Sequence, residues 1–343
     1  GIREAKDLSE YDNLGASAYL RAKEDYLMGI NFSRLLTLKY GNSISNFLQT
    51  KYSVVSVGRV MTCVLGMVVR REREIRDFVK TPFYRVLSTI DAQGHTFEGE
   101  WRAVKGSRYF ESYDLYKENG FKKKEDAQKL MDSLLQPEPV ASVIEKVEKK
   151  KEKKNPPLLF NLAEIQNLSS KLFKISPDET LAIVQELYEK KLVTYPRTDA
   201  RVLSSAVAKE IGKNLGGLQG YEQAREFLPY ISENQTYKGL EKTRYVNDKQ
   251  ITDHYAIIPT GQGLGALRSL GELQSKMYEV IVRRFLSIFY PPAVYQKLNV
   301  TVKSGEEHFF TSTKVLVEVV FLRVSDYWFT KKYIVAEFVM VAN

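Results

Sequence analysis

The run Lys190-Lys191-Leu192-Val193-Thr194-Tyr195-Pro196-Arg197-Thr198-Asp199 carries a short β-favouring segment into an abrupt stop at a tyrosine. Val193, Thr194 and Tyr195 favour extended backbone, and Pro196, which has no N–H, ends any ladder they begin. The pattern predicts a short strand that presents Tyr195 at a turn, with a guanidinium two residues on and a hydroxyl and a carboxylate behind it. Arginine offers a planar fork of donors that fits phosphoryl oxygens and stabilises charge developing on them. A tyrosine so placed is a candidate nucleophile toward phosphorus. Taken alone, Tyr195 reads more simply as a core residue before a turn.

Working outward, Ser176-Pro177-Asp178-Glu179 is a strong helix start: Ser at N-cap, Pro at N1 and Glu at N3 make a capping box. The helix it opens puts Leu181, Val184, Leu187 and Tyr188 on one face and delivers the chain into the tyrosine segment. An earlier helix over about 162–172 gives the order helix, helix, strand of a winged-helix-like module. Ser275 to Phe289 reads as a further helix, stopped by Pro291-Pro292. On the other side, the lysine-rich run Lys146 to Lys154 with Asn155-Pro156-Pro157 reads as an exposed connection and a domain boundary. Before it, Phe83 to Ile90 and His95 to Trp101 look like strands joined by a turn at 91–94, followed by a helix over 124–135 and a strand over 140–147. Tyr295–Val302 and Phe309–Val324 return to strand-like composition. The first 80 residues are helical in pattern, with apolar positions at helical spacing over 18–36 and again from Val60 to Arg76. The expected class is α+β and multidomain: a helical segment over 1–80, a β-rich segment over 81–155, a tyrosine-bearing module over 156–287, and a return to the β-rich segment over 288–343.

Composition sets bounds. Of 343 residues, 43% are hydrophobic, enough to bury proper cores, and the net charge of +9 favours a polyanionic partner. Twenty-one tyrosines and seventeen phenylalanines add stacking faces for unpaired bases, although most belong in cores. The single cysteine, Cys63, excludes an internal disulfide framework and a Cys-rich zinc site. No apolar run reaches the roughly 18 residues of a spanning helix, and the longest candidate, Tyr333 to Ala342, is interrupted by Glu337. A soluble, cytoplasmic protein is expected. No Gly-x-x-x-x-Gly-Lys-Ser/Thr loop occurs, since Lys213 lacks both the spacing and the hydroxyl partner.

Tyr-Pro-Arg-Thr-Asp after a leucine-rich helix resembles the active-site segment of type IA DNA topoisomerases, most nearly the bacterial topoisomerase III branch. Three further blocks occur in that family's order. Arg21, Asp25, Asn31 and Arg34 match a helical block, in which Asp25 suits a pairing role and Arg34 either packing or DNA contact. Val57-Gly58-Arg59-Val60-Met61-Thr62 resembles the Gly-Arg-Val-Gln-Thr-Pro block, with Met61 in place of Gln and Cys63 in place of Pro; Arg59 and Thr62 at a helix start can hold phosphate. Thr252-Asp253-His254-Tyr255-Ala256-Ile257-Ile258-Pro259-Thr260 is similar to the block that brings a histidine near the scissile phosphate. His95 and His308 have no such context.

The resemblance implies an ATP-independent topoisomerase core, with an arch domain as the β-rich part. It would cut one DNA strand through a 5′-phosphotyrosine link at Tyr195, assisted by Arg197 and His254, pass another strand and reseal the break. Arg59, Thr62, Arg34, Thr198 and Asp199 are the DNA-binding candidates. Single-stranded DNA, and negatively supercoiled or catenated DNA, are the implied partners, in the bacterial cytoplasm at the nucleoid. The resemblance also implies Mg2+, in an N-terminal Toprim domain with an acidic Asp-x-Asp site; no such cluster occurs in this sequence, and no metal ligand is assigned. The chain is therefore expected to be a fragment without that domain, binding single strands but relaxing supercoils poorly. The competing reading is a non-catalytic single-stranded-DNA-binding fragment, separable from the enzyme by detection of a tyrosine–DNA adduct. Tyrosine recombinases and type IB enzymes place the tyrosine near the C-terminus behind several Arg and His residues, and replication relaxases add a His-x-His metal site. Neither pattern is present.

Overall fold

The computed structural model describes residues 7–92, 94–135, 140–318 and 320–325. It divides into two compact units, one ending at Pro82 and one beginning at Phe83. Both helices and antiparallel strands are present, so the class is α+β as expected.

In the first unit, helix α1 (Asp12–Leu48) runs 37 residues, well beyond the expected 18–36. It closes at Gln49, which is left-handed at φ 54°, while the Thr50 amide bonds the Ser45 carbonyl at 3.0 Å. Residues 50–58 then return along the helix in extended form. Their track is a stripe spaced by four, Asp25, Gly29, Ser33, Thr37, Gly41 and Ser45, which helical geometry places on one face. The Thr37 and Ser33 hydroxyls accept the amides of Val55 and Val57 at 2.9 and 2.8 Å. A Cβ on Gly41 would stand 3.0 Å from the Ser53 carbonyl, so any larger residue there would push the returning segment outward by a few tenths of an ångström. Helix α2 (Arg59–Arg76) follows, over nearly the expected span. The only buried residues of the two helices are Gly41 and Ser45.

The second unit joins a sheet to a helical module. Strands β1 (Leu87–Ala92) and β2 (His95–Arg102) form the expected hairpin, whose Gln93 lies outside the described residues. A small ribbon, β3 (Leu115–Lys117) with β4 (Gly120–Phe121), precedes helix α3 (Lys124–Leu135). Strand β5 (Ser142–Lys154) occupies the lysine-rich run, which corrects the expectation of an exposed connection there. Every β5 residue is exposed, and it pairs with β6 (Ala293–Ser304) from Ser142↔Ser304 to Lys154↔Ala293. The charge run conceals a strand because its partner, some 150 residues on, supplies the hydrogen bonds and no buried face is needed. Strand β7 (Glu307–Glu318) completes a five-stranded sheet in the order β1-β2-β7-β6-β5. It stops at Glu318, and Phe321–Ser325 is helical, so the strand pattern read through Val324 is too long. Trp101 is fully buried beneath the sheet, and its indole N–H donates to Glu307 at 2.7 Å.

The helical module contains α4 (Leu162–Phe173), α5 (Pro177–Glu189), α6 (Ser205–Gly217), α7 (Leu228–Glu233) and α8 (Glu272–Ser287). Leu159, Phe160, Ile165, Leu187, Leu192, Tyr278 and Phe285 are among its wholly buried residues. The Arg284 guanidinium lies over the Phe160 ring at 4.1 Å and donates to the Leu158 carbonyl at 2.9 Å, tying α8 to the chain entering α4. No helix among the described residues is long and apolar enough to cross a membrane. The apolar run Tyr333 to Ala342 lies outside the described residues.

Candidate active site

Helix α5 begins with the complete capping box: Ser176 accepts from the Glu179 amide at 3.2 Å, and the Glu179 carboxylate accepts from the Ser176 amide at 2.8 Å. Those hydrogen bonds from Ser176 hold the Glu179 carboxyl below its ordinary pKa. Its end is a Schellman motif, with the Leu192 amide on the Leu187 carbonyl at 2.9 Å and the Lys191 amide on the Tyr188 carbonyl at 2.8 Å. Leu187 and Leu192 are both fully buried, which gives the motif its usual apolar contact. The chain thus leaves α5 in a fixed direction, straight into the tyrosine segment.

The expected strand at 192–195 is a single antiparallel bridge, Val193↔Pro259. The Thr194 amide reaches the Ile258 carbonyl and the Thr260 amide the Leu192 carbonyl, each at 3.0 Å. Pairing goes no further because the Ile258 amide bonds the Thr194 hydroxyl instead of its carbonyl, at 3.0 Å, and the Ile257 amide is taken by Phe160 at 2.8 Å. Hydroxyls do the rest of the joining. Thr194 donates to the Ala256 carbonyl at 3.0 Å, and Thr260 donates back to the Lys191 carbonyl at 2.5 Å. Thr198, 6% exposed, donates to the His254 carbonyl at 2.7 Å and accepts the Ala200 amide at 3.1 Å. Three threonines therefore tie the Tyr195 loop to the His254 loop.

Their effect is to set the Tyr195 ring 4.4 Å from the His254 ring, centroid to centroid, at 45°. Tyr188 stands edge-on to Tyr195 at 5.4 Å and 81°. These rings open on a cleft of about 480 Å³ that Lys191 and Tyr255 also line. Burial pushes the Tyr255 phenol up. Burial likewise pushes Tyr245 and Tyr290 up to about 12. Arg197 is exposed, and no ion pair or hydrogen bond engages its guanidinium among the described residues, so its donors face solvent. Asp199 is exposed as well, and its carbonyl accepts from the Asn161 side chain at 3.0 Å.

The remaining candidates lie in the unit ending at Pro82. Arg59, the first residue of α2, grips Asp25 of α1 with two donors at 2.7 and 3.2 Å, and Glu24 lies 3.6 Å away. The hydrogen bond from Arg59 holds the Asp25 carboxyl below its ordinary value despite the opposing cost of desolvation. Thr62 is exposed one turn into α2, and its amide bonds the Gly58 carbonyl at 2.8 Å. Arg34 is exposed on α1. No group of three or more His, Cys, Asp or Glu among the described residues could hold a metal ion. The described residues do not fit the implied magnesium site, and no step below passes through a metal.

Sequence reasoning missed Tyr188 and Lys191. Tyr188 was legible only as one member of the α5 apolar face, and Lys191 as a charge at a helix end.

The family described as DNA topoisomerase matches residues 9–338 of this chain. DNA topoisomerase 3 of Bacillus subtilis is 33% identical over 318 residues, and the protein of the same name from Shouchella clausii is 34% identical over 310. Those alignments cover 92% and 90% of this chain, but only 39% and 38% of the relatives' own length. The solved structure of full-length topoisomerase I from Thermotoga maritima superposes with a TM-score of 0.51 at 22% identity, over 88% of this chain and 45% of that one, a likeness of fold. With the family matched across nearly the whole length and the tyrosine, arginine and histidine blocks in place, the chain belongs to the type IA DNA topoisomerase family.

Proposed function

We propose that this chain carries the strand-cleaving tyrosine of a topoisomerase that changes DNA topology without ATP. The Tyr195 oxygen attacks a backbone phosphorus, a tyrosine–phosphate bond forms at the 5′ end, and the 3′ oxygen leaves and takes up a proton. The reverse attack by that 3′ hydroxyl reseals the strand, because the aryl phosphodiester keeps the energy of the broken bond and phenolate is a good leaving group. Arg197, exposed and unpaired two residues on, binds the phosphoryl oxygens as charge builds on them. His254, held against the tyrosine ring, orients the reacting groups and serves proton transfer to or from them. Thr62 and Arg34, both exposed, and Arg59, through the donors that Asp25 leaves open, contact the DNA backbone, while Thr198 acts from beneath by holding His254. Single-stranded regions of supercoiled or catenated DNA are the substrate, in the bacterial cytoplasm at the nucleoid. The magnesium that the family uses is bound elsewhere in the full-length protein, by a Toprim domain acting with this one.

The observation that carries this reading is the 4.4 Å apposition of Tyr195 and His254 by threonine hydroxyls from two loops 56 residues apart. The test is adduct trapping on single-stranded oligonucleotides with full-length protein. Tyr195→Phe should yield none, and Arg197→Ala should slow cleavage on the order of 10²-fold, as for other lost transition-state donors. A 5′-linked adduct formed by Tyr195→Phe would overturn the assignment.

A further inference from the structure

Lys191 occupies the residue of the Schellman motif that must be left-handed, with φ 61°. Glycine adopts that conformation without steric cost and is the usual occupant, whereas an L side chain there is strained. The surrounding backbone leaves it no alternative. The Thr260 hydroxyl grips the Lys191 carbonyl, and Gly263 lies so close that a Cβ on it would stand 2.3 Å from the Lys190 carbonyl oxygen. The lysine is exposed, lines the Tyr195 cleft, and makes no ion pair through its ammonium among the described residues, whereas neighbouring Lys190 lies 3.6 Å from Glu186.

Strain by itself decides nothing here, because Gln49, Glu111, Lys174 and Gln235 are also non-glycine residues at positive φ. Lys174 is the instructive one. It carries the same side chain, ends helix α4 at φ 59°, and does not line the tyrosine cleft. What sets Lys191 apart is the coincidence of a disfavoured backbone, an unpaired cation and a place beside the nucleophile. Strain kept at such a site calls for a role for the side chain that bears it.

We propose that Lys191 is a DNA-binding residue of the tyrosine cleft, whose ammonium holds a backbone phosphate of the strand presented to Tyr195. The proposal rests on the strand-cleaving reading above and extends it to a residue outside the motif blocks. A point charge on a flexible stem suits a phosphate beside the reacting one, since it asks for no fixed geometry.

The test measures single-stranded DNA affinity against salt with full-length protein in a Tyr195→Phe background, so that nothing is cut, together with the melting temperature. Lys191→Gly should melt no lower than its parent, because glycine suits the left-handed position. It should nevertheless lose about 0.7 from the slope of log affinity against log salt, the loss expected for one phosphate contact on a single strand. Lys191→Arg should restore the slope, and Lys174→Gly should leave it unchanged. An unaltered slope in Lys191→Gly, or an equal loss in Lys174→Gly, would overturn the proposal. The reading it rests on is decided separately, by adduct trapping with Tyr195 present. An adduct from Tyr195→Phe would sink that reading while the slope still judged the lysine.

Discussion

Leu187, Tyr278 and Phe285 of the tyrosine module are wholly buried, whereas Leu27 and Leu65 of the unit ending at Pro82 are 57% and 61% exposed. The first region is organised by an apolar core, and its polar contacts act on loops that the core has already placed. The second is organised by a polar track, in which hydroxyls and glycines spaced by four receive a returning strand and an Arg–Asp pair closes the end. The difference follows the tasks proposed for each. A nucleophile must be placed to a fraction of an ångström, and dense packing supplies that stiffness. Arginines and threonines that hold a DNA backbone tolerate a looser frame, because phosphate contacts position a strand without reading it.

The sharpest way to break this comparison is a pair of truncations in this 343-residue chain. Leu187→Ala should lower stability by about 2–5 kcal/mol, through lost burial and the cavity left behind. Leu65→Ala should stay within about 0.5 kcal/mol, as for other exposed positions. Denaturant titrations of both would check it, and equal losses would show that the α1–α2 unit has a core of its own.

Next in size is Thr198→Val, which keeps the shape but leaves the His254 carbonyl and Ala200 amide without their partner. A cost of about 1–3 kcal/mol is expected for buried groups so orphaned. Thr198→Ser should recover most of the stability and also the adduct yield. If Thr198→Val formed the adduct at the parent rate, the tie between the loops would be irrelevant to His254's placement.

Smaller again is Ser176→Ala, which removes the N-cap of α5 at a cost of about 1 kcal/mol. That cap was legible because a capping box is local: four adjacent residues declare both partners. Helix α3 was legible for a similar reason, its apolar spacing and acidic first turn lying within its own twelve residues. The lysine strand β5 was not, since its hydrogen-bond partner β6 lies far along the chain and the side chains advertise only solvent. Within the site, Tyr195, Arg197 and His254 were legible as residue types in order. The threonine ties were not: Thr198 read as a DNA contact because its acceptor is 56 residues away. The left-handed turn at Lys191 left no sign, since no glycine marks it.

The smallest expected effect lies in the polar-tracked unit, and it is a dependence on pH. Asp25 titrates below its ordinary value in the folded chain, chiefly because Arg59 donates to its carboxylate. A depressed folded value means that the ionised pair contributes at every pH above the ordinary aspartate range, and that the contribution fades as pH falls through the folded value. Both side chains are substantially exposed, so the effect is confined to the local tie between α1 and α2 and weakens with added salt. Amide exchange at Val55 and Val57 reads that tie, because those amides are held on Ser33 and Thr37 just beyond the pair. Their protection, corrected for the intrinsic acid dependence of exchange, should drop on acidification below the aspartate range. Asp25→Asn should show the lower protection already at neutral pH, with no further acid step. Equal acid dependence in both proteins would mean that the glycine and hydroxyl track alone holds the returning segment.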